Sequence, residues 1–308
     1  NVCSSDLCAH AQHYPVKPVR IIVASVAGGG TDFIARLLAQ KLTESLSQQI
    51  IVENRAGAGS TLGIEAGIRA IPDGYTLNVV TPSYSINPSL YNLKFDPITD
   101  YTPVLLIARG PLVVCVHPSV PAKTLRELIA LAKGRPDQVV YGTSGQGTIV
   151  HLANAQFLHM AGIKMVHVPY KSTGAAMVDV LGGQAPIMVG SMLPVVPHIQ
   201  GGRLRGLGVT TAKRWYSLQD IPAMSETVPG YAVELWFGAM APVGTPAAVI
   251  QQINGVINKA LQSPEMKKGL EKDGMIPTGG TPEKFGERIN ADYNNWIKVI
   301  KSANIKAS

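Results

Sequence analysis

The chain has 308 residues, of which 46% are hydrophobic and 15% are charged. This composition excludes an intrinsically disordered protein, and the chain is long enough for two lobes with separate hydrophobic cores. The formal net charge is +7, but the basic residues are scattered, so the composition argues against nucleic-acid binding and favours attraction of anionic ligands. Because no run of about 20 apolar residues is present, no membrane-spanning segment is predicted.

Residues 1–11 are predicted to be a leader or signal remnant outside the mature fold. They end in Ala9-His-Ala11, a small-residue pattern typical of cleavage sites in exported proteins. Cys3 and Cys8 lie in this leader, whereas Cys115 lies in an apolar run and is expected to be a buried small hydrophobe. We therefore expect the protein to be exported.

The first elements predict a strand–helix–strand unit. The branched apolar run at 19–24 predicts a buried parallel strand, and three glycines follow at 28–30. Thr31 and Asp32 are expected to cap a helix with one apolar face, and 49–53 is the next strand. Together these segments form a βαβ unit.

The same alternation of strands and helices continues along the chain. Further strands are predicted at 75–80, 102–108, 112–116, 139–142, 166–170, 185–192 and 204–210. Helices are predicted after Ser60, after a capping box at 124–127, at 148–161 and at 174–181. The last third is expected to be helical, with three helices that each have a Ser or Thr cap followed by proline as the first helical residue, at 245–246, 263–264 and 281–282.

This pattern, which occurs both before and after about residue 110, predicts an α/β protein of two doubly wound lobes with a ligand cleft between them. We assign residues 12–108 and 231–308 to lobe 1, and residues 109–230 to lobe 2.

The first candidate site is the glycine-rich turn at 27–32. A helix that begins there offers free N–H groups and a partial positive charge to an anion. The alternative is a dinucleotide site of an NAD(P)-dependent enzyme, with Glu53 as the ribose-binding acid, but Phe33 occupies the place of the third glycine of that fingerprint. A turn that only reverses the chain is the remaining possibility.

The second candidate site is the turn at 143–148 with His151 on the helix that follows. A serine hydrolase centred on Ser144 is disfavoured, because Gln146 replaces the glycine of a nucleophile elbow and no acid is placed to orient the histidine. His151 is therefore either a packed or capping residue or a ligand contact. Tyr170 is expected in a wall or in packing, and Lys171 either meets an anion or is exposed.

Together the two turns predict a cleft with backbone donors on both sides. Charge-assisted hydrogen bonds contribute ~1.5–3 kcal/mol each, so three or four of them, less ordering costs, correspond to roughly micromolar binding of a carboxylate. The seven histidines show no metal-site spacing, so we expect no metal and no cofactor.

Spaced motifs extend this interpretation from about Tyr14 to Lys306. The matching segments are 14–15, 17–18, 27–32, 52–55, 57–59, 72–77, 141–142, 144–145, 147–148, 151–153, 167–171, 179–184, 236–238 and 241–246. In these motifs the chain resembles the Bug/TctC family, the solute-binding proteins of tripartite tricarboxylate transporters. It departs from the family at 24–27, where Ala-Ser-Val-Ala replaces the usual Pro-Phe-Ala-Pro beside the expected pocket.

The resemblance implies a type II-like periplasmic binding protein fold with crossover strands between its lobes, a periplasmic location and no enzymatic activity. It implies a small carboxylate, either a dicarboxylate or an aromatic acid, held partly through ordered waters and delivered to the subunits of a membrane permease. We expect a monomer. The ligand-binding residues carried over or inferred are Val26, Ala27, Gly28, Gly29, Thr31, Asp32, Thr81, Ser83, Tyr84, Thr143, Ser144, Gly145, Gly147, Thr148, His151, Tyr170, Lys171, Gly190 and Ser191.

Overall fold

Two separate β-sheets, each covered by helices, form the part of the chain described by the computed structural model, residues 14–272, 274–302 and 305. The predicted leader, with Cys3 and Cys8, lies outside these residues. The strands are β1 (Val19–Val23), β2 (Ile50–Asn54), β3 (Thr76–Val80), β4 (Tyr101–Gly110), β5 (Leu112–Val116), β6 (Val140–Thr143), β7 (Val166–Pro169), β8 (Ile187–Ser191), β9 (Arg205–Val209), β10 (Leu235–Pro242) and β11 (Ile276–Pro277). The helices are α1 (Gly30–Leu46), α2 (Thr61–Ile68), α3 (Ser83–Ile86), α4 (Leu125–Gly134), α5 (Ile149–Ala161), α6 (Thr173–Leu181), α7 (Met192–Gln200), α8 (Ala247–Leu261), α9 (Pro264–Lys272) and α10 (Pro282–Ser302).

The first sheet has the strand order β11-β4-β10-β3-β1-β2. Strand β1 lies between β2 and β3 and is parallel to both, which confirms the predicted βαβ unit. Its residues Ile21, Ile22 and Val23 are fully buried, as expected for a parallel strand covered on both faces. We call the part of the protein built on this sheet the first lobe.

The second sheet has the order β7-β6-β8-β5-β9 and defines the second lobe. Strand β6 is parallel to β7 and β8, whereas β5 is antiparallel to β8 and β9. Cys115 is fully buried in β5, which confirms the prediction of a small apolar core residue. The α/β class with two sheets therefore agrees with the sequence-based expectation.

The chain passes between the lobes twice, and the two passages lie side by side. Strand β4 ends at Gly110 in the first sheet and β5 begins at Leu112 in the second. The chain returns between β9 and β10, where Leu235 pairs with Gly110. The first sheet thus takes strands from both ends of the sequence; the assigned lobe boundaries themselves stay a prediction. None of the described helices is both long and apolar enough to cross a membrane.

Several predicted helix starts are confirmed by their hydrogen bonds. The Thr124 hydroxyl accepts from the Glu127 N–H at 3.2 Å, and the Thr148 hydroxyl accepts from the His151 N–H at 3.3 Å. Ser263 does the same at the start of α9. These hydroxyls satisfy N–H groups that have no acceptor inside their own helices.

Other predictions of local structure were wrong. Helix α1 begins one residue before Thr31, with Gly29 as its N-cap and without a side-chain cap, because the Asp32 carboxylate bonds back to Gly28. Pro246 is the N-cap of α8 and not its first residue. The expectation of a helical last third omitted β10, a fully buried strand whose apolar run has no alternation to identify it. Helix α7 was missed because it contains prolines at 194 and 197.

Candidate functional site

A cavity of about 670 Å³ lies between the two lobes. Its walls follow the carboxyl ends of parallel strands, since Ala24 follows β1, Thr81 follows β3, Ser144 follows β6 and Tyr170 follows β7. This is the edge at which α/β sheets bind ligands. The described lining residues are 24–26, 29–31, 56–60, Thr81, Ser83, Tyr91, 144–146, 148–150, 170–173, Ser191, Leu235 and Phe237.

The N-terminus of α1 forms the first-lobe wall. Gly29, Gly30 and Thr31 line the cavity there, and the backbone reverses because Gly28 adopts a positive φ of 79°. The first N–H groups of a helix have no acceptor within it and carry the positive end of its dipole. This wall therefore presents backbone donors and a partial positive charge to the cavity.

The Asp32 side chain stabilises this turn through hydrogen bonds on the side away from the cavity. Its Oδ2 atom accepts the Gly28 N–H at 2.9 Å and Arg36 Nε at 3.0 Å, and the residue is only 3% exposed. Burial alone would raise the pKa of Asp32, but the hydrogen bonds from Arg36 and Gly28 lower it overall. The carboxylate thus fixes the shape of the turn and does not line the cavity.

The N-terminus of α5 forms the opposite wall in the second lobe. Thr148 caps the helix, and its hydroxyl donates to the Gly145 carbonyl at 2.7 Å, which closes the turn on itself. Ile149 and Val150 follow on the first helical turn and line the cavity. Two helix N-termini from different lobes therefore meet across one space, an arrangement that favours an anion.

Tyr170 and Lys171 complete the second-lobe wall. The Tyr170 hydroxyl donates to Asp179 Oδ2 at 2.7 Å. Burial is the larger cause and this hydrogen bond the smaller cause of a pKa of Tyr170 that is raised to about 12. Lys171 is exposed and lines the cavity at the same time. It is the one charged side chain among the described lining residues, so the wall carries no described carboxylate that would repel an anion.

The structure places part of the predicted site on the cavity wall. The predicted residues that line it are Val26, Gly29, Thr31, Thr81, Ser83, Ser144, Gly145, Thr148, Tyr170, Lys171 and Ser191. Those outside the described lining are Ala27, Gly28, Asp32, Tyr84, Thr143, Gly147, His151 and Gly190. Ligand contact by either set stays a prediction.

The residues outside the lining have definite structural environments. Tyr84 is fully buried and its hydroxyl donates to the Pro97 carbonyl at 2.6 Å. Gly190 lies within β8, where an added Cβ would be 2.7 Å from the Thr173 side chain. His151 is buried behind the 144–148 turn and stacks on His167, with ring centroids 4.5 Å apart. These positions shape the walls from behind.

Several lining residues were not predicted from the sequence. The loop at 56–60 and Tyr91 border the cavity from the first lobe, and Leu235 and Phe237 add an apolar surface from β10. The glycines at 57 and 59 were a usable signal for the loop. Tyr91 also meets the second lobe, because a Cβ added to Gly147 would lie 2.6 Å from its hydroxyl oxygen.

The geometry also bears on the enzymatic alternatives. The Ser144 hydroxyl donates to the Thr148 hydroxyl at 3.4 Å, whereas Nδ1 of His151 accepts from the Gly147 N–H. Glu53 is paired with Arg20 and Arg55 at 3.2 and 2.5 Å and does not line the cavity. Within the described ranges, no three His, Cys, Asp or Glu side chains come together as a metal site.

The family model that matches this chain is the tripartite tricarboxylate transporter family receptor, TctC, over residues 34–305. Rpa4515 of R. palustris, solved with adipate, is 34% identical, with a TM-score of 0.90 over 95% of this chain and 99% of that chain. The periplasmic binding protein BugD is 30% identical, with a TM-score of 0.90 over 96% of this chain and 100% of that chain. MatC of Rhodopseudomonas palustris, solved with malate, is 26% identical, with a TM-score of 0.88 over 93% and 100% of the two chains.

These likenesses confirm the resemblance drawn from the sequence motifs and the two-lobed binding-protein fold. The matched family consists of receptors, which also confirms the prediction that the chain is not an enzyme. On this evidence the chain belongs to the TctC family of periplasmic solute-binding receptors.

Proposed function

We propose that this protein captures a small carboxylate, either a dicarboxylate or an aromatic acid, between its lobes and delivers it to the permease of a tripartite tricarboxylate transporter. The observation that carries the proposal is the meeting of two helix N-termini, α1 and α5, in one cavity. The N–H groups there suit carboxylate oxygens, and Lys171 adds the one charge of the described wall.

The cavity also has apolar walls that suit a ligand with a hydrocarbon part beside its carboxylate. Leu235 and Phe237 line the cavity from β10, and Val26 and Ile149 lie on the lobe walls. Two solved relatives hold small dicarboxylates, adipate in Rpa4515 and malate in MatC. The volume of about 670 Å³ falls within the range of ~300–1,000 Å³ usual for small-molecule sites.

The proposal includes the setting in which capture takes place. The receptor acts as a monomer in the periplasm after removal of the leader at 1–11, and it binds the membrane-embedded permease subunits when loaded. Its membership of a family of periplasmic transport receptors supports the periplasmic location and the permease partner. Co-purification of the loaded receptor with the permease, compared with the ligand-free receptor, tests the partner.

The test of capture is a thermal-shift screen on protein that has been unfolded, dialysed and refolded to remove bound solutes. The panel contains citrate, malate, adipate, terephthalate, glutamate and nicotinate, with NAD as the representative of the dinucleotide alternative. A ligand at about 100 times its Kd stabilises the fold by about 2.7 kcal/mol. We expect one or more acids to raise Tm and NAD to have no effect; stabilisation by NAD alone would overturn the proposal.

A further inference from the structure

Two histidines that do not line the cavity lie directly behind the second-lobe loop, which we define as residues 144–148. The imidazoles of His151, on α5, and His167, on β7, stack with centroids 4.5 Å apart and planes 12° from parallel. Tyr141, on β6, continues the stack at 5.1 Å from His167. His151 is 7% exposed and Tyr141 is 3% exposed, whereas His167 is half-buried, so the stack is largely covered beneath the loop.

Each imidazole is linked by hydrogen bonds to a backbone N–H of the loop. The Gly145 N–H donates to the Thr143 hydroxyl oxygen at 3.2 Å, and that hydroxyl lies 2.7 Å from His167 Nε2. In the neutral tautomer that leaves Nε2 unprotonated, the Thr143 hydroxyl donates its proton to Nε2. The Gly147 N–H donates to His151 Nδ1 over a longer distance of 3.4 Å.

We propose that His151 and His167 are positioning residues for the carboxylate site: as neutral acceptors they hold the second-lobe loop, and a proton on either imidazole releases the loop and weakens anion binding. The inference rests on the proposed function, because it gives these histidines a role in shaping the wall of the same cavity. When Nδ1 of His151 is protonated, it becomes a donor facing the donor of Gly147. When Nε2 of His167 is protonated, it becomes a donor to the Thr143 hydroxyl oxygen and competes there with the Gly145 N–H.

The surroundings of the pair favour the neutral state. Burial lowers the pKa of His167 to about 4, and burial together with His167 lowers the pKa of His151 to about 4. Among other ionisable groups, Tyr141 stacks from β6 and Tyr91 faces Gly147 from the first lobe.

The remaining ionisable groups of this region belong to the wall formed by 170–173. Tyr170, paired with Asp179, lies against the Cβ position of Gly142, the strand neighbour of Tyr141, and therefore on the opposite face of the sheet from the stack. Lys171 follows Tyr170 at the cavity wall. Neither Asp179 nor Lys171 contributes to the pKa shift of either imidazole.

Variants separate positioning from simple core packing. His151→Phe and His167→Phe keep an aromatic ring but remove the acceptor, whereas His151→Asn and His167→Gln place an amide oxygen near the lost nitrogen. His159→Phe, at an exposed position of α5, is the matched control. If the histidines only fill space, the phenylalanine variants should behave like the wild type and the amide variants should be the more damaging ones.

The first readout is amide hydrogen exchange of Gly145 and Gly147 in the ligand-free full chain at neutral pH, followed by NMR. Loss of one hydrogen bond is expected to speed exchange by about tenfold, at Gly147 in His151→Phe and at Gly145 in His167→Phe. The amide variants should recover most of the protection. Unchanged exchange of both glycines in both folded phenylalanine variants would overturn the proposal.

The second readout is the affinity for adipate by calorimetry at pH 7.5 and at pH 4.0, where an imidazole with a pKa of about 4 is half protonated. The double variant His151→Asn, His167→Gln supplies the baseline for protonation of adipate itself, and the wild type should lose at least about threefold more affinity than this baseline. An equal loss, or a relative gain from the added positive charge, would contradict the proposal. If adipate does not bind the wild type at all, the choice of ligand has failed, and the exchange readout still decides the roles of the histidines.

Discussion

Replacing Gly29 by valine is the sharpest perturbation of the first-lobe wall. Gly29 caps α1 with a φ of −82°, which any residue can adopt, and an added Cβ would meet only the Val26 carbonyl oxygen, at 3.5 Å. The side chain would therefore extend into the open cavity without straining the fold. It would deny a carboxylate its approach to the N–H groups of Gly30 and Thr31.

The magnitude follows from the hydrogen bonds that would be lost. Two charge-assisted bonds at about 1.5–3 kcal/mol each amount to about 3–6 kcal/mol, or roughly a 10²- to 10⁴-fold loss of affinity. Calorimetry with adipate measures this loss, and thermal unfolding of the ligand-free variant checks the fold. Ala212→Val, at an exposed position of the second lobe outside the described lining, is the control and should stay within about 0.5 kcal/mol of the wild type. A Gly29→Val protein that binds as well as the wild type would refute the reasoning.

Three further predictions concern the second lobe. Gly147→Ala should weaken adipate binding, because Gly147 has a φ of 71°, which alanine rarely adopts, and because the added Cβ would lie 2.6 Å from the Tyr91 hydroxyl oxygen. An unchanged affinity in calorimetry would contradict this. Lys171→Gln should cost about 0.2–1 kcal/mol of adipate binding and flatten its salt dependence, since the lysine is exposed; an unaltered salt dependence would be the contrary result. The unfolding free energy from urea titrations should fall as the pH drops from about 6.5 to 4, by about 1.4 kcal/mol per pH unit for each histidine, because His151 and His167 bind protons in the unfolded chain but stay neutral in the folded one. The His151→Asn, His167→Gln variant should show a shallower slope, and a slope equal to that of the wild type would contradict the prediction.

The two loops were predictable from the sequence because their signals are local. Glycines at 28–30 followed by an amphipathic helix, and Thr148 before a second helix, each carry the information in adjacent residues. Leu235 and Phe237 could not be found in this way, because they enter the cavity only when β10 crosses back beside β4. Tyr91 likewise depends on how the lobes meet, and no local pattern encodes its contact with Gly147.

The direction in which a side chain points could not be predicted from the sequence either. Asp32 and His151 both follow a glycine-rich turn, which is where ligand contacts are expected, yet each turns back to bond a glycine N–H of its own loop. Whether a polar side chain near a helix start meets a ligand or the backbone depends on angles that residue type and spacing do not fix.

The central claim is that the N-termini of α1 and α5 hold one carboxylate together, and amide chemical shifts recorded during an adipate titration test it most directly. The account predicts saturable shifts for the amides of Gly30 and Thr31 in the first lobe and of Ile149 and Val150 in the second, all following one binding curve with a Kd near the micromolar range. Shifts confined to one lobe while adipate binds, or two separate binding curves, would contradict the account.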